Sequence, residues 1–195
     1  TLTIKPDAGV AAVLNGNNSG GAIIKLNGAD HITIDGVNSG GSSLSINNTS
    51  ESLTSAVIWI ASAGSGNGAT NNTIKNCTIS GATNSTTLAG IVAGSGNLLG
   101  YPAEASNSGN IISGNTIRTA QNGIYISGFT GALDEGWTVE KNTIGSVNAA
   151  EKMAFRGIFI GSVQNMSVSN NTILGVVSTA NCSSTLSGIQ VGYAV

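Results

Sequence analysis

One phrase, a small residue followed by Ile-x-Ile or a close variant, is repeated through the chain. SAVIWIAS (55–62), LAGIVAGS (88–95), QNGIYISG (121–128), FRGIFIGS (155–162) and LSGIQVGY (186–193) begin 33, 33, 34 and 31 residues apart. A weaker copy, GAIIKLNG (21–28), precedes the first by 34 when Ile24 is set against Ile58. Self-similarity at a fixed period of about 20–50 residues marks a stacked repeat, and it outranks any local propensity.

Two further families of short apolar alternations lie between these copies. The second comprises LTIKP (2–6), ITIDG (32–36), NTIKN (72–76), NIISG (110–114), WTVEK (137–141) and MSVSN (166–170). The third follows closely as CTIS (77–80), NTIR (115–118), NTIG (142–145) and NTIL (171–174), with AVLN (12–15) and SLSIN (43–47) in the first two periods. Period-two alternation bounded by turn residues reads as strand, and no intervening segment carries a helical stripe. Three strands in each period predict an all-β, single-stranded parallel β-helix of about six turns and three short parallel sheets, each strand pairing with its equivalent one turn later, about 4.8 Å along the axis. The spacing excludes the left-handed hexapeptide coil, and the rule for parallel connections favours the right-handed form.

Alternation also assigns the side chains to inside and outside. Ile58, Ile91, Ile124, Ile158 and Ile189 are expected to stack inside on the first strand family, Ile34, Ile74, Ile112, Val139 and Val168 on the second, and Ile79, Ile117, Ile144 and Ile173 on the third. The short corner between the second and third families reads Asn76-Cys77, Gly114-Asn115, Lys141-Asn142 and Asn170-Asn171. Asn tolerates left-handed backbone and bonds local main chain, so Asn115, Asn142 and Asn171 are expected to form an inward amide ladder. Cys77 shares their slot and is expected buried and reduced. Cys182 sits about three turns away, too far for a bridge.

Charged residues are only 8% of the chain, against about 25% on average. No apolar run approaches the roughly 18 residues of a membrane-spanning helix. The 7 Lys+Arg are scattered among 9 acids with no basic run, so nucleic acid is not an expected partner. Thr1-Leu2-Thr3-Ile4 already reads as strand and Val195 stops inside another copy, so residues 1–195 are expected to be one segment of a longer solenoid with uncapped ends.

The combination of GI-x-I, x-I-x-x-N-T-I and an Asn at the tight turn resembles the pectin-lyase-like right-handed β-helix superfamily. LNGADHITIDGVNSG (26–40) is similar to a phrase of large secreted bacterial surface proteins built on that coil. The resemblance implies an extracellular or cell-surface location. It implies no single function, because the superfamily includes lyases, hydrolases, adhesins and phage tailspikes.

In the superfamily's enzymes the outer face of the first strand family holds the substrate groove. Here that face carries Lys25, Trp59, Val92, Tyr125, Phe159 and Gln190, of which Lys25, Trp59, Tyr125, Phe159 and Gln190 are the candidate ligand-binding residues. Aromatic rings there suit sugar rings, unless loops such as 94–109 or 129–136 fold over them. The acidic calcium cluster of pectate lyases and the motifs of polygalacturonases are absent. Glu104, Asp134 and Glu135 are the only loop carboxylates placed to approach one another as a hydrolytic pair. Asp30 could join backbone oxygens around calcium, but one carboxylate is poor evidence for a site of six to eight oxygens, so no cofactor is indicated. His31 beside Asp30 is expected to serve a corner. The reading favoured is a structural or adhesin-like module that binds polysaccharide or cell-surface glycan. A polysaccharide lyase or glycoside hydrolase with its catalytic set partly outside the segment, and an end-to-end self-associating fibre or surface-layer component, are the alternatives.

Overall fold

A computed structural model describes residues 1–38, 41–177 and 186–192. Three six-stranded parallel sheets wind as one coil. The first sheet holds Ile24–Asn27, Ala56–Ala61, Ala89–Gly94, Asn122–Ser127, Arg156–Gly161 and Ser187–Val191. The second holds Leu2–Ile4, Ile32–Asp35, Thr73–Lys75, Ile111–Ser113, Thr138–Glu140 and Ser167–Ser169. The third holds Ala12–Gly16, Leu44–Asn48, Cys77–Ser80, Thr116–Arg118, Thr143–Gly145 and Thr172–Leu174. Six strands per sheet are separated by five axial steps, so the coil makes about five turns where the spacing predicted about six. Among the described residues a single 3-10 turn, Ala149–Glu151, interrupts the strand-and-loop pattern.

Register follows the repeat. Ile58 pairs with Ile91, Ile91 with Ile124, Ile124 with Ile158 and Ile158 with Ile189. The second sheet aligns Ile34, Ile74, Ile112, Val139 and Val168 in the same way. A one-residue slip would turn every one of these side chains outward. Ile58, Ile74, Ile91, Ile112, Ile117 and Ile124 are completely buried, each contributing about 1.5–3 kcal/mol relative to exposure. The terminal strand is different: Ile189 is 49% and Val191 76% exposed, because no further described strand covers them.

The glycine of the GI phrase has a steric cause. A Cβ at Gly123 would lie 2.4 Å from Ile144 Cγ2 of the third sheet and 2.6 Å from the Gly157 carbonyl. The inward Ile of one sheet thus packs directly onto the backbone of another at this turn, whereas the equivalent slot of the first full copy holds Val57, fully buried in the core.

Two corners repeat a left-handed residue, the short one at its last four occurrences and the other before five of the six strands of the second sheet. Asn76, Gly114, Lys141 and Asn170, with φ of 59°, 65°, 55° and 55°, make the short corner between the second and third sheets. His31, Asn71, Gly109, Gly136 and Asn165 turn the chain into the second sheet, with φ of 57°, 55°, 71°, 67° and 51°. His31 is therefore a corner residue, and its N–H donates to the Thr70 carbonyl at 3.1 Å.

Past the short corner runs an amide relay. Asn142 Oδ1 accepts from both Asn115 N and Nδ2 at 3.0 Å, and Asn171 Oδ1 accepts from Asn142 N and Nδ2 at 3.0 and 2.9 Å. Asn115 Oδ1 accepts in turn from Cys77 N at 3.0 Å. Cys77 is buried and free, and burial pushes its thiol up to about 12. Cys182 lies outside the described residues.

Candidate functional site

The outer row of the first sheet is in register from Lys25 through Trp59, Val92, Tyr125 and Phe159 to Gln190. Trp59 and Phe159 are each only 4% exposed. Trp59 packs with Ala22, Ala56, Ala61, Ala89 and Val92, and Leu99 from the following loop joins that cluster. Lys25 Nζ sits 4.0 Å from the centre of the indole ring and donates to the Gly96 carbonyl at 2.7 Å, tying the same loop down. Tyr125 and Phe159 stack with centroids 4.5 Å apart and planes 18° from parallel. Arg156 lies 5.3 Å from the Phe159 ring and its Nε donates to Gln190 Oε1. Of the two arrangements left open by sequence, Trp59 and Phe159 adopt the covered one. Tyr125 and Gln190 are half-buried and Lys25 is exposed.

Glu104 is consumed by its own loops. Its carboxylate accepts from Ser62 Oγ and Ser95 Oγ, from Gly96 N at 3.0 Å and from Asn97 Nδ2 at 3.1 Å. Burial alone would raise its pKa, but the hydrogen bonds from Ser62, Ser95 and Gly96 prevail and hold it at about 2. An acid so stabilised as an anion is a poor proton donor.

Asp134 is fully buried. Its Oδ1 accepts from Asn107 N and Phe129 N, both at 3.1 Å. Burial pushes its pKa up to about 6, against the pull of the Phe129 and Asn107 amides. Its Oδ2 and Trp137 Nε1 each lack a hydrogen-bond partner, although the indole is close enough to favour the carboxylate. The neighbouring Glu135 points to solvent and accepts from Gln164 Nε2. Glu104 lines an open cleft to which neither Asp134 nor Glu135 contributes, so the three acids do not converge on one cavity.

The reason for Asp134 lies in a second relay that sequence reasoning missed. Ala69 N donates to Asn107 Oδ1 at 2.8 Å, and Asn107 N donates to Asp134 Oδ1. Asp134 thus occupies, one turn on, the slot that Asn107 fills. In parallel, Ile32 N donates to Asn72 Oδ1 and Asn72 N to Asn110 Oδ1, both at 2.9 Å. The Asn107-x-x-Asn110 spacing beside a left-handed Gly109 was the available signal. A second omission is Phe129, half-buried in the wall of the Glu104 cleft.

Asp30 Oδ1 accepts from Thr70 N and Oγ1, both at 2.7 Å. Among the described residues no three His, Cys, Asp or Glu side chains group as metal ligands, and no helix is long and apolar enough to cross a membrane. No family model, curated protein or solved structure matches the chain.

Proposed function

We propose that this chain is an extracellular structural β-helix module, adhesin-like in role and pectin-lyase-like in its coil, that holds a stiff surface against glycan partners. The observation that carries the reading is the use made of the candidate catalytic groups: Glu104 is filled by four donors and Asp134 is a buried acceptor in an amide relay. Ordinary glycoside hydrolysis needs two carboxyls across one cleft, one of them poised to give a proton. A loop clamp and a relay terminus serve rigidity instead. Incubation with neutral and uronic-acid polysaccharides, followed by assays for new reducing ends and for unsaturated products, tests the reading. No chain cleavage is expected; cleavage that disappears in Glu104→Gln would overturn it in favour of a lyase or hydrolase.

A further inference from the structure

We propose that the cleft between the loops that follow the first sheet binds a neutral carbohydrate, with Phe129 as its stacking surface and Asp30 and Asn67 as hydrogen-bonding partners. This deepens the glycan part of the reading above and rests on it; the structural role does not depend on it. The cleft has a volume of about 420 Å³ and is lined by Asp30, Asn67, Thr70, Glu104, Ser106 and Phe129 among others. That volume lies within the ~300–1,000 Å³ range of small-ligand sites.

The walls are fixed before any ligand arrives. A Cβ at Gly68 would fall 1.8 Å from the Ser106 carbonyl, so the two loops touch backbone to backbone. Glu104 N donates to Ser62 Oγ at 3.0 Å, and Ser106 Oγ donates to the Ala132 carbonyl at 2.8 Å. Asp134 holds the Phe129 and Asn107 amides together from below. Gly131 closes against the far end of the Phe129 ring, where a Cβ would lie 2.5 Å from Cζ. Loops ordered in this way lose little entropy on binding.

The chemistry of the lining selects the ligand. Its charged residues are Asp30 and Glu104, both acids, while Lys25 lines a separate cavity with Asn27, Ser62 and Asn97. A polyuronate would meet like charge with no cation to offset it, so an acidic polysaccharide is disfavoured. Two carboxylates, one already filled by donors, are too few for calcium. A half-buried ring beside acceptors and an amide instead matches a saccharide, which offers an apolar ring face and hydroxyl donors. Asp30 Oδ1 is taken by Thr70, which leaves Oδ2 to accept from a ligand hydroxyl.

The test is titration of the protein with neutral glucan, mannan and galactan hexamers, a chitin hexamer and hexagalacturonate, followed by amide chemical shifts. At least one neutral hexamer is expected to bind, shifting the amides of Asp30, Asn67 and Phe129 more than those of Tyr125 and Gln190. Phe129→Ala should weaken that binding ~10-fold or more and Asp30→Asn ~3–10-fold. Tyr101→Ala, an exposed ring outside the cleft, should leave it unchanged. Retention of the wild-type amide spectrum by Phe129→Ala excludes misfolding as the cause. Binding that shifts Tyr125 and Gln190 and is indifferent to Phe129→Ala would sink the cleft while keeping the glycan reading. Tighter binding of hexagalacturonate would overturn the charge argument, and no binding of any hexamer would remove both the cleft and the glycan reading.

Discussion

Asp134 sits in the surroundings of a structural acceptor, fully buried with two backbone amides on one oxygen. Its folded pKa, about 6, exceeds the ordinary 3.8 because burial penalises the charge. The native state therefore binds more protons than the unfolded chain between those values, and stability must rise as pH falls from about 6 towards 4. The whole effect is on the order of 3 kcal/mol, since a tenfold change in proton affinity is worth about 1.36 kcal/mol. Urea midpoints measured from pH 7 down to pH 4.5 should increase in the wild type, whereas Asp134→Asn should be flat over the same interval; equal slopes would refute the assignment. Glu104 works in the opposite sense. Its pKa of about 2 lies below the ordinary 4.5, so its contribution is complete above pH 4.5 and is lost as pH falls towards 2. Glu104→Gln should cost about 2 kcal/mol at pH 7, read as a lower urea midpoint with an unchanged slope. Neither role was legible from sequence: an acid in a loop carries no mark of whether donors surround it, since Ser95 and Gly96 reach Glu104 only when their shared loop folds back, and Ser62 only when two turns are stacked.

At the level of strands and corners the repeat was far more informative. Period-two alternation placed Ile34, Ile74 and Ile112 in one inward row, and the pairing register follows it. The GI phrase is explained by packing, since Ile144 and the Gly157 carbonyl occupy the space a Cβ would need. Gly123→Ala should thus destabilise by about 1–3 kcal/mol through overpacking, with thermal unfolding as the readout; a neutral effect would show that the sheets do not approach this closely. The Asn relay at the short corner is also a stability element. Asn142→Ala removes the acceptor of Asn115 N, which is left buried without a partner, and one of the two acceptors of Asn115 Nδ2, which keeps the Ile74 carbonyl, so a loss of about 2 kcal/mol is expected. The aromatic row marks where pattern stopped being sufficient. Alternation correctly turned Trp59 and Phe159 away from the central core, but whether an outward face meets water depends on loops. Leu99 and Lys25 cover Trp59 through contacts no periodicity encodes.

The whole molecule is a quasi-one-dimensional stack, in which each turn is held mainly by its two neighbours. Its three sheets share one axis, so each surface discussed above exists only if equivalent residues of successive periods are adjacent. The count of turns, five rather than six, does not alter that adjacency. A direct measurement uses the outward row of the second sheet, exposed or half-buried, where Thr3 is related to Ser167 by five axial steps and Thr33 to Thr138 by three. Nitroxide pairs at Thr3→Cys with Ser167→Cys, and at Thr33→Cys with Thr138→Cys, in a chain carrying Cys77→Ser and Cys182→Ser, report these separations. The coil predicts narrow distributions near ~24 Å and ~14 Å, a constant ~4.8 Å for each step. Broad distributions, or a Thr3–Ser167 distance shorter than the Thr33–Thr138 distance, would contradict it.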